Sequence, residues 1–153
     1  MRKLILLAVF VLASLAISGC RHADEMRGHI KEAGGVLRDS RAEVQKFFLH
    51  ERHALVKARK ITLLPILAQR REGFDKAFHA AAVGLAQGKK ISKEYEAGDK
   101  DKPAVDAWYV YARGLFQAVE DALNVLECVI PPSYGEMLDK WPPLPAEARP
   151  IGN

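Results

Sequence analysis

The chain has 153 residues, 49% of them hydrophobic and 27% charged, with a formal net charge of +4. That length suits one domain with a single core, and two cysteines are too few for a disulfide framework. Arg2 and Lys3 supply two of the 23 basic side chains, so the rest of the chain balances at +2, which is no argument for a nucleic-acid partner.

The first stretch, MRKLILLAVFVLASLAISGC, sets Arg2 and Lys3 ahead of an uncharged run from Leu4 to Ala16, followed by the small residues Ser18 and Gly19. This is the layout of a secretory signal peptide, and the run is short for a bilayer-spanning helix, which needs roughly 20 apolar residues. Ile17, Ser18, Gly19 and Cys20 resemble the lipobox of bacterial lipoprotein precursors. The resemblance covers residues 1–20 only. It implies cleavage before Cys20, diacylglycerol on its thiol and a membrane tether without a spanning helix. Two or more acyl chains hold a protein stably where one holds it marginally. Arg21 stands where an inner-membrane retention Asp would stand, so the resemblance favours an outer membrane facing the periplasm in a host with two membranes. Lipidation would consume Cys20 and leave Cys128 either buried or free for an intermolecular bond.

The expected division is a signal peptide over 1–19, a lipidated tether over 20–35, a helical domain over 36–130 and a proline-rich tail over 131–153. In the tether, Met26, Ile30 and Ala33 continue an apolar phase from downstream, while Gly28, Gly34 and Gly35 argue for a loose, frayed helix. Each interior glycine weakens a helix by about 0.5–1 kcal/mol relative to Ala. From Val36 the stripe Leu37, Val44, Phe48, Leu55 and Ala58 predicts a firm amphipathic helix.

Pro65, in KITLLPILA, predicts either a turn or a kink. The stripe Leu67, Arg71, Phe74, Phe78, Ala81 and Leu85 is out of phase with the one before it, which favours the turn. Residues 86–102, charged and carrying Gly88 and Gly98, read as a connecting loop with room for a helical turn around Ser92 to Ala97. Pro103–Ile130 is the clearest helix: Val105, Trp108, Ala112, Leu115, Val119, Ala122, Leu126 and Val129 recur at steps of three and four. Pro103 suits the first helical turn, and Pro131 with Pro132 ends the segment. The remainder holds six of the eight prolines and reads as an irregular arm. No period-two alternation predicts a strand. The fold class expected is all-α: a small antiparallel bundle of about three helices with a Pro-rich C-terminal arm.

Motifs for chemistry are weak. GLAQGKK at 84–90 has the wrong glycine spacing for a phosphate loop and follows a helix. HERH at 50–53 is not HExxH and lacks a second ligand cluster, so no metal site is expected. His79, beside Phe78, reads as a satisfied interfacial histidine. Glu94 with Glu96 and Glu120 with Asp121 lie in charge-rich contexts without a cleft to hold substrate. No cofactor and no enzymatic activity are expected. Tyr109 and Tyr111 point away from the Trp108 stripe, and with Trp141 of the tail they form the candidate interaction face. The expected function is a membrane-anchored, non-catalytic module that holds, blocks or recruits another envelope protein. The alternative is a small-ligand or metal carrier using the bundle interior.

Overall fold

The computed structural model describes the backbone of residues 2–128 and 130–143, with side chains from Arg21 onward. The Cys20 side chain, where lipidation is expected, Val129 and the tail from 144 lie outside the described residues. The chain is all-α, with four helices among the described residues: α1 (Arg2–Lys57), α2 (Leu64–Ala97), α3 (Lys102–Val125) and α4 (Ser133–Asp139), with a 3-10 turn at Ile61–Leu63 between the first two. Among the fully described residues, no helix is long and apolar enough to cross a membrane.

α1 does not loosen before Gly35. It runs unbroken through Gly28, Gly34 and Gly35, so the expected frayed tether is corrected to a packed helical segment. The reason is tertiary: Ala23, Met26, Ile30, Ala33, Leu37, Ser40 and Val44 are all buried, at alternating steps of three and four, along one seam. Burial of that seam outweighs the helix penalty of three glycines. Ser92 of α2 donates to the Ala23 carbonyl at 3.2 Å, fixing the register at the near end. Ser40 turns its hydroxyl back to the Val36 carbonyl at 2.9 Å, which allows a buried polar group in the same seam.

Pro65 marks a turn. α1 closes with Arg59 N–H donating to the Val56 carbonyl at 3.0 Å and Lys60 N–H to Leu55 at 2.8 Å, a Schellman arrangement with Arg59 in the left-handed region (φ 59°). Pro65 then sits in the first turn of α2, where a missing N–H has no consequence.

The expected loop at 86–102 is also corrected, since α2 continues to Ala97. Gly98 (φ 82°) ends it with the same Schellman pattern, Asp99 N–H reaching the Glu94 carbonyl at 2.8 Å. The Asp101 carboxylate accepts from Ala104 N–H at 3.2 Å and starts α3 after a short link. Gly84 and Gly88 are where α2 and α3 touch. A Cβ at Gly88 would lie 2.5 Å from Trp108 ring carbons, and one at Gly84 would lie 2.3 Å from Leu115 Cδ1. Trp108 Nε1 donates to the Gly84 carbonyl at 2.9 Å, so close backbone approach and indole hydrogen bond depend on each other.

α3 ends at Val125, short of the expected Ile130, with Glu127 in the left-handed region (φ 58°) and Cys128 N–H bonded to the Leu123 carbonyl at 3.0 Å. The fourth helix lies inside what the sequence reads as an irregular arm. Tyr134 and Met137 of α4 are buried, and the Tyr134 hydroxyl donates to the Phe116 carbonyl. Lys140 pairs with Glu32, tying the end of α4 to α1.

Candidate functional site

The three residues of the expected interaction face do not form one. Tyr109 and Trp141 are 5% and 3% exposed, whereas Tyr111 is 47% exposed and remains a surface residue of α3. That expectation is corrected for a geometric reason. α3 packs on α2 along one side and receives the chain after α4 along another, so it buries a wider arc than a single stripe. Phe116 and Leu123, outside the expected stripe, are buried on that second side.

There the aromatics make an internal lock. Trp141 meets Trp108, Tyr109 and Phe116 with ring centroids 5.7, 5.5 and 5.8 Å apart. Arg113 Nη2 donates to the carbonyls of Leu138 at 2.9 Å, Trp141 at 3.2 Å and Pro142 at 3.1 Å, holding the chain after α4 through its orphan carbonyls. The Arg113 guanidinium lies over the indole, 5.7 Å from the Trp141 ring centroid. Burial pushes the Tyr109 and Tyr134 phenols well above their ordinary value, and neighbouring carboxylates push the same way. Both hydroxyls therefore stay protonated. Tyr109 meets His29 of α1 at 2.8 Å, and burial holds that imidazole below its ordinary value. The lock is structural: Arg113 Nη2 and the Tyr134 hydroxyl are spent on backbone carbonyls, while Arg113 Nε and Trp141 Nε1 are buried without a hydrogen-bond partner among the described residues.

The remaining candidates stay at the surface. His50, His53 and His79 are exposed, which corrects the interfacial reading of His79. Cys128 is half-buried against the core, and burial raises its thiol pKa. No group of three potential metal ligands occurs among the described residues.

Two surface features were not anticipated. The first is the end of the α1–α2 hairpin. α2 has 34 residues and α3 has 24, a difference of about 15 Å in length, so the hairpin outruns the helix that covers it. Beyond α3 the large apolar side chains Leu49, Val56, Ile61, Leu63 and Ile66 are 41–61% exposed. Over residues 49–70 the charged residues are Arg52, Lys57, Arg59, Lys60 and Arg70 against the single acid Glu51.

The second is a groove of about 560 Å³ between α1 and α2, lined by Arg27, Ile30, Lys31, Gly34, Arg38, Lys89, Lys93 and Glu96. Glu96 is engaged by Arg27 at 2.6 Å, and that pairing raises the Arg27 pKa further. Lys31, Arg38, Lys89 and Lys93 form no ion pair among the described residues. A signal for this was present in the sequence: positions three and four residues from Lys31, Arg38 and Lys89 carry no carboxylate.

No family model, curated protein or solved structure matches the chain.

Proposed function

We propose that this protein is a lipid-anchored envelope module without catalytic chemistry, tethered through Cys20 and engaging a partner protein through the end of its α1–α2 hairpin. The observation that carries this reading is the cluster Leu49, Val56, Ile61, Leu63 and Ile66, exposed where the α1–α2 hairpin runs past the end of α3. Apolar side chains gathered this way, ringed by cations, suit a partner with an apolar patch and an acidic rim. From Arg21 to Lys57, α1 rises about 55 Å, so an anchor at Cys20 would hold the hairpin end well clear of the membrane. The aromatic lock supports the same reading indirectly, because Trp141 is used internally and is not free to serve as a ligand. The interior carrier reading gains little support, since the core seams are filled and their hydroxyls satisfied by backbone.

The test is site-specific photo-crosslinking in intact cells from Ile61 or Leu63, with Tyr111 as a comparison on α3. A discrete protein adduct is expected from the hairpin positions and none from Tyr111. Ile61→Ser with Leu63→Ser should abolish the adduct at unchanged melting temperature. Lipid adducts alone, or the same products from all three positions, would overturn the partner reading. Cys20→Ala should release the protein from membranes; retained attachment would overturn the anchor.

A further inference from the structure

We propose that the groove between α1 and α2 is an anion site for a multiply charged phosphate group, carried either by a phosphorylated lipid headgroup or by a free oligophosphate. The inference is independent of the hairpin contact, which lies at the opposite end of the same two helices.

Charge pairing across the surface gives the first argument. Arg21, Lys46, Arg71, Lys76, Lys90 and Lys102 each find a carboxylate three or four residues away on their own helix. Of the groove cations Arg27 keeps that habit, pairing with Asp24, and the other four break it. Lys89 and Lys93 stand one turn apart on α2, and Lys31 and Arg38 stand two turns apart on α1, about 10 Å along the axis. Five cations thus line one concavity against a single carboxylate, and Arg27 already occupies that carboxylate. Like charges held this close repel unless an anion joins them.

Shape gives the second argument. The groove is open because Gly34 contributes no side chain to its wall; the nearest atom to a Cβ built there is Leu85 Cδ1, 4.0 Å away. Ile30, 2% exposed, lies beneath. The volume of about 560 Å³ falls within the range of small-ligand sites. A carboxylate would answer one of the four unpaired cations. A phosphate monoester, at about −1.5 to −2 near neutral pH, or a diphosphate answers several, and offers oxygens to lysine and to the arginine fork together.

The experiment uses the full chain in neutral detergent, titrated calorimetrically with inorganic pyrophosphate and tripolyphosphate at constant ionic strength. In parallel it is reconstituted in nanodiscs of phosphatidylcholine alone or with phosphatidic acid, reading protection of Lys31 and Lys93 from amine labelling. Saturable oligophosphate binding supports a free ligand, and protection only with phosphatidic acid supports a lipid one. Lys31→Gln with Lys93→Gln should weaken binding about tenfold or more. Gly34→Leu, which fills the groove and leaves its charge unchanged, should do the same with helicity retained. No binding and no protection in any arm would overturn the proposal. So would equal weakening by Lys46→Gln with Lys76→Gln, which removes paired surface charge elsewhere.

Discussion

At the end of the bundle where α1 passes Ala23 and α2 finishes at Ala97, every apolar seam is covered: α2 lies on α1, α3 on α2, and α4 with Trp141 fills the second side of α3. At the hairpin end the same α1 and α2 continue with no third helix over them. The seam thins from Val44 to half-buried Phe47 and Phe48, and its outer residues face solvent. Arginines partly take the place of a covering helix there, with Arg41 stacked 4.9 Å from the Phe78 ring and Arg71 4.6 Å from that of Phe48. Such contacts tolerate water and can be exchanged for a partner's surface. The comparison teaches where each property resides: cohesion in the four-helix end, exposed binding area in the two-helix end.

The largest effect should come from the residue that closes the covered end. Trp141→Ala removes a buried indole that three aromatic rings touch, and it loosens the segment Arg113 holds. A loss of about 3–5 kcal/mol in unfolding free energy is expected from chemical denaturation. An effect below about 1 kcal/mol would mean that α4 and Trp141 are not part of the cooperative core, and the contrast between the two ends would dissolve.

A pair of glycine substitutions sharpens the same contrast within a smaller range. Gly88→Ala drives a methyl to 2.5 Å from the Trp108 ring and should destabilise by about 1–3 kcal/mol, since a packed indole cannot step aside. Gly28→Ala meets nothing within 4 Å and should stabilise by about 0.5–1 kcal/mol through helix propensity alone. Thermal denaturation of both variants checks the signs. Two changes of the same sign would show that the α2–α3 contact is looser than its geometry.

These residues also mark what the sequence made legible. The all-α class, the α3 stripe and the turn at Pro65 follow from periodicity and proline chemistry. The turn itself lacked a glycine signal because Arg59 takes the left-handed position that glycine usually fills, and Glu127 does the same after α3. Gly88 among charged neighbours looked like a loop, yet its absent side chain is a packing contact with Trp108. Tyr109 and Trp141 were misplaced because one helical stripe describes a helix with one neighbour, whereas α3 has neighbours on two sides. The hairpin's exposed cluster was invisible for a related reason: exposure there depends on where α3 stops, not on any local pattern.

The smallest expected effect concerns pH, again in the covered end. His29 sits between α1 and α3 against Tyr109, with rings T-shaped at 5.8 Å. Burial lowers its pKa below the ordinary 6.5, outweighing the opposing pull of Glu32 and Glu25, and Lys140 lowers it further. The unfolded chain therefore binds more protons than the folded one between that lowered value and 6.5. Stability associated with neutral His29 is intact above pH 6.5 and falls as the pH drops through the folded pKa. Glu25 and Glu72, held below their ordinary value by hydrogen bonds to His22 and Arg21 and to Lys76 respectively, contribute in a more acidic window. His29→Gln keeps an acceptor for the Tyr109 hydroxyl and cannot titrate. Denaturation midpoints followed downward from pH 7 should therefore fall more steeply for the natural chain than for the variant. Parallel profiles would place His29 in water and show that the contact between α1 and α3 at the covered end is open.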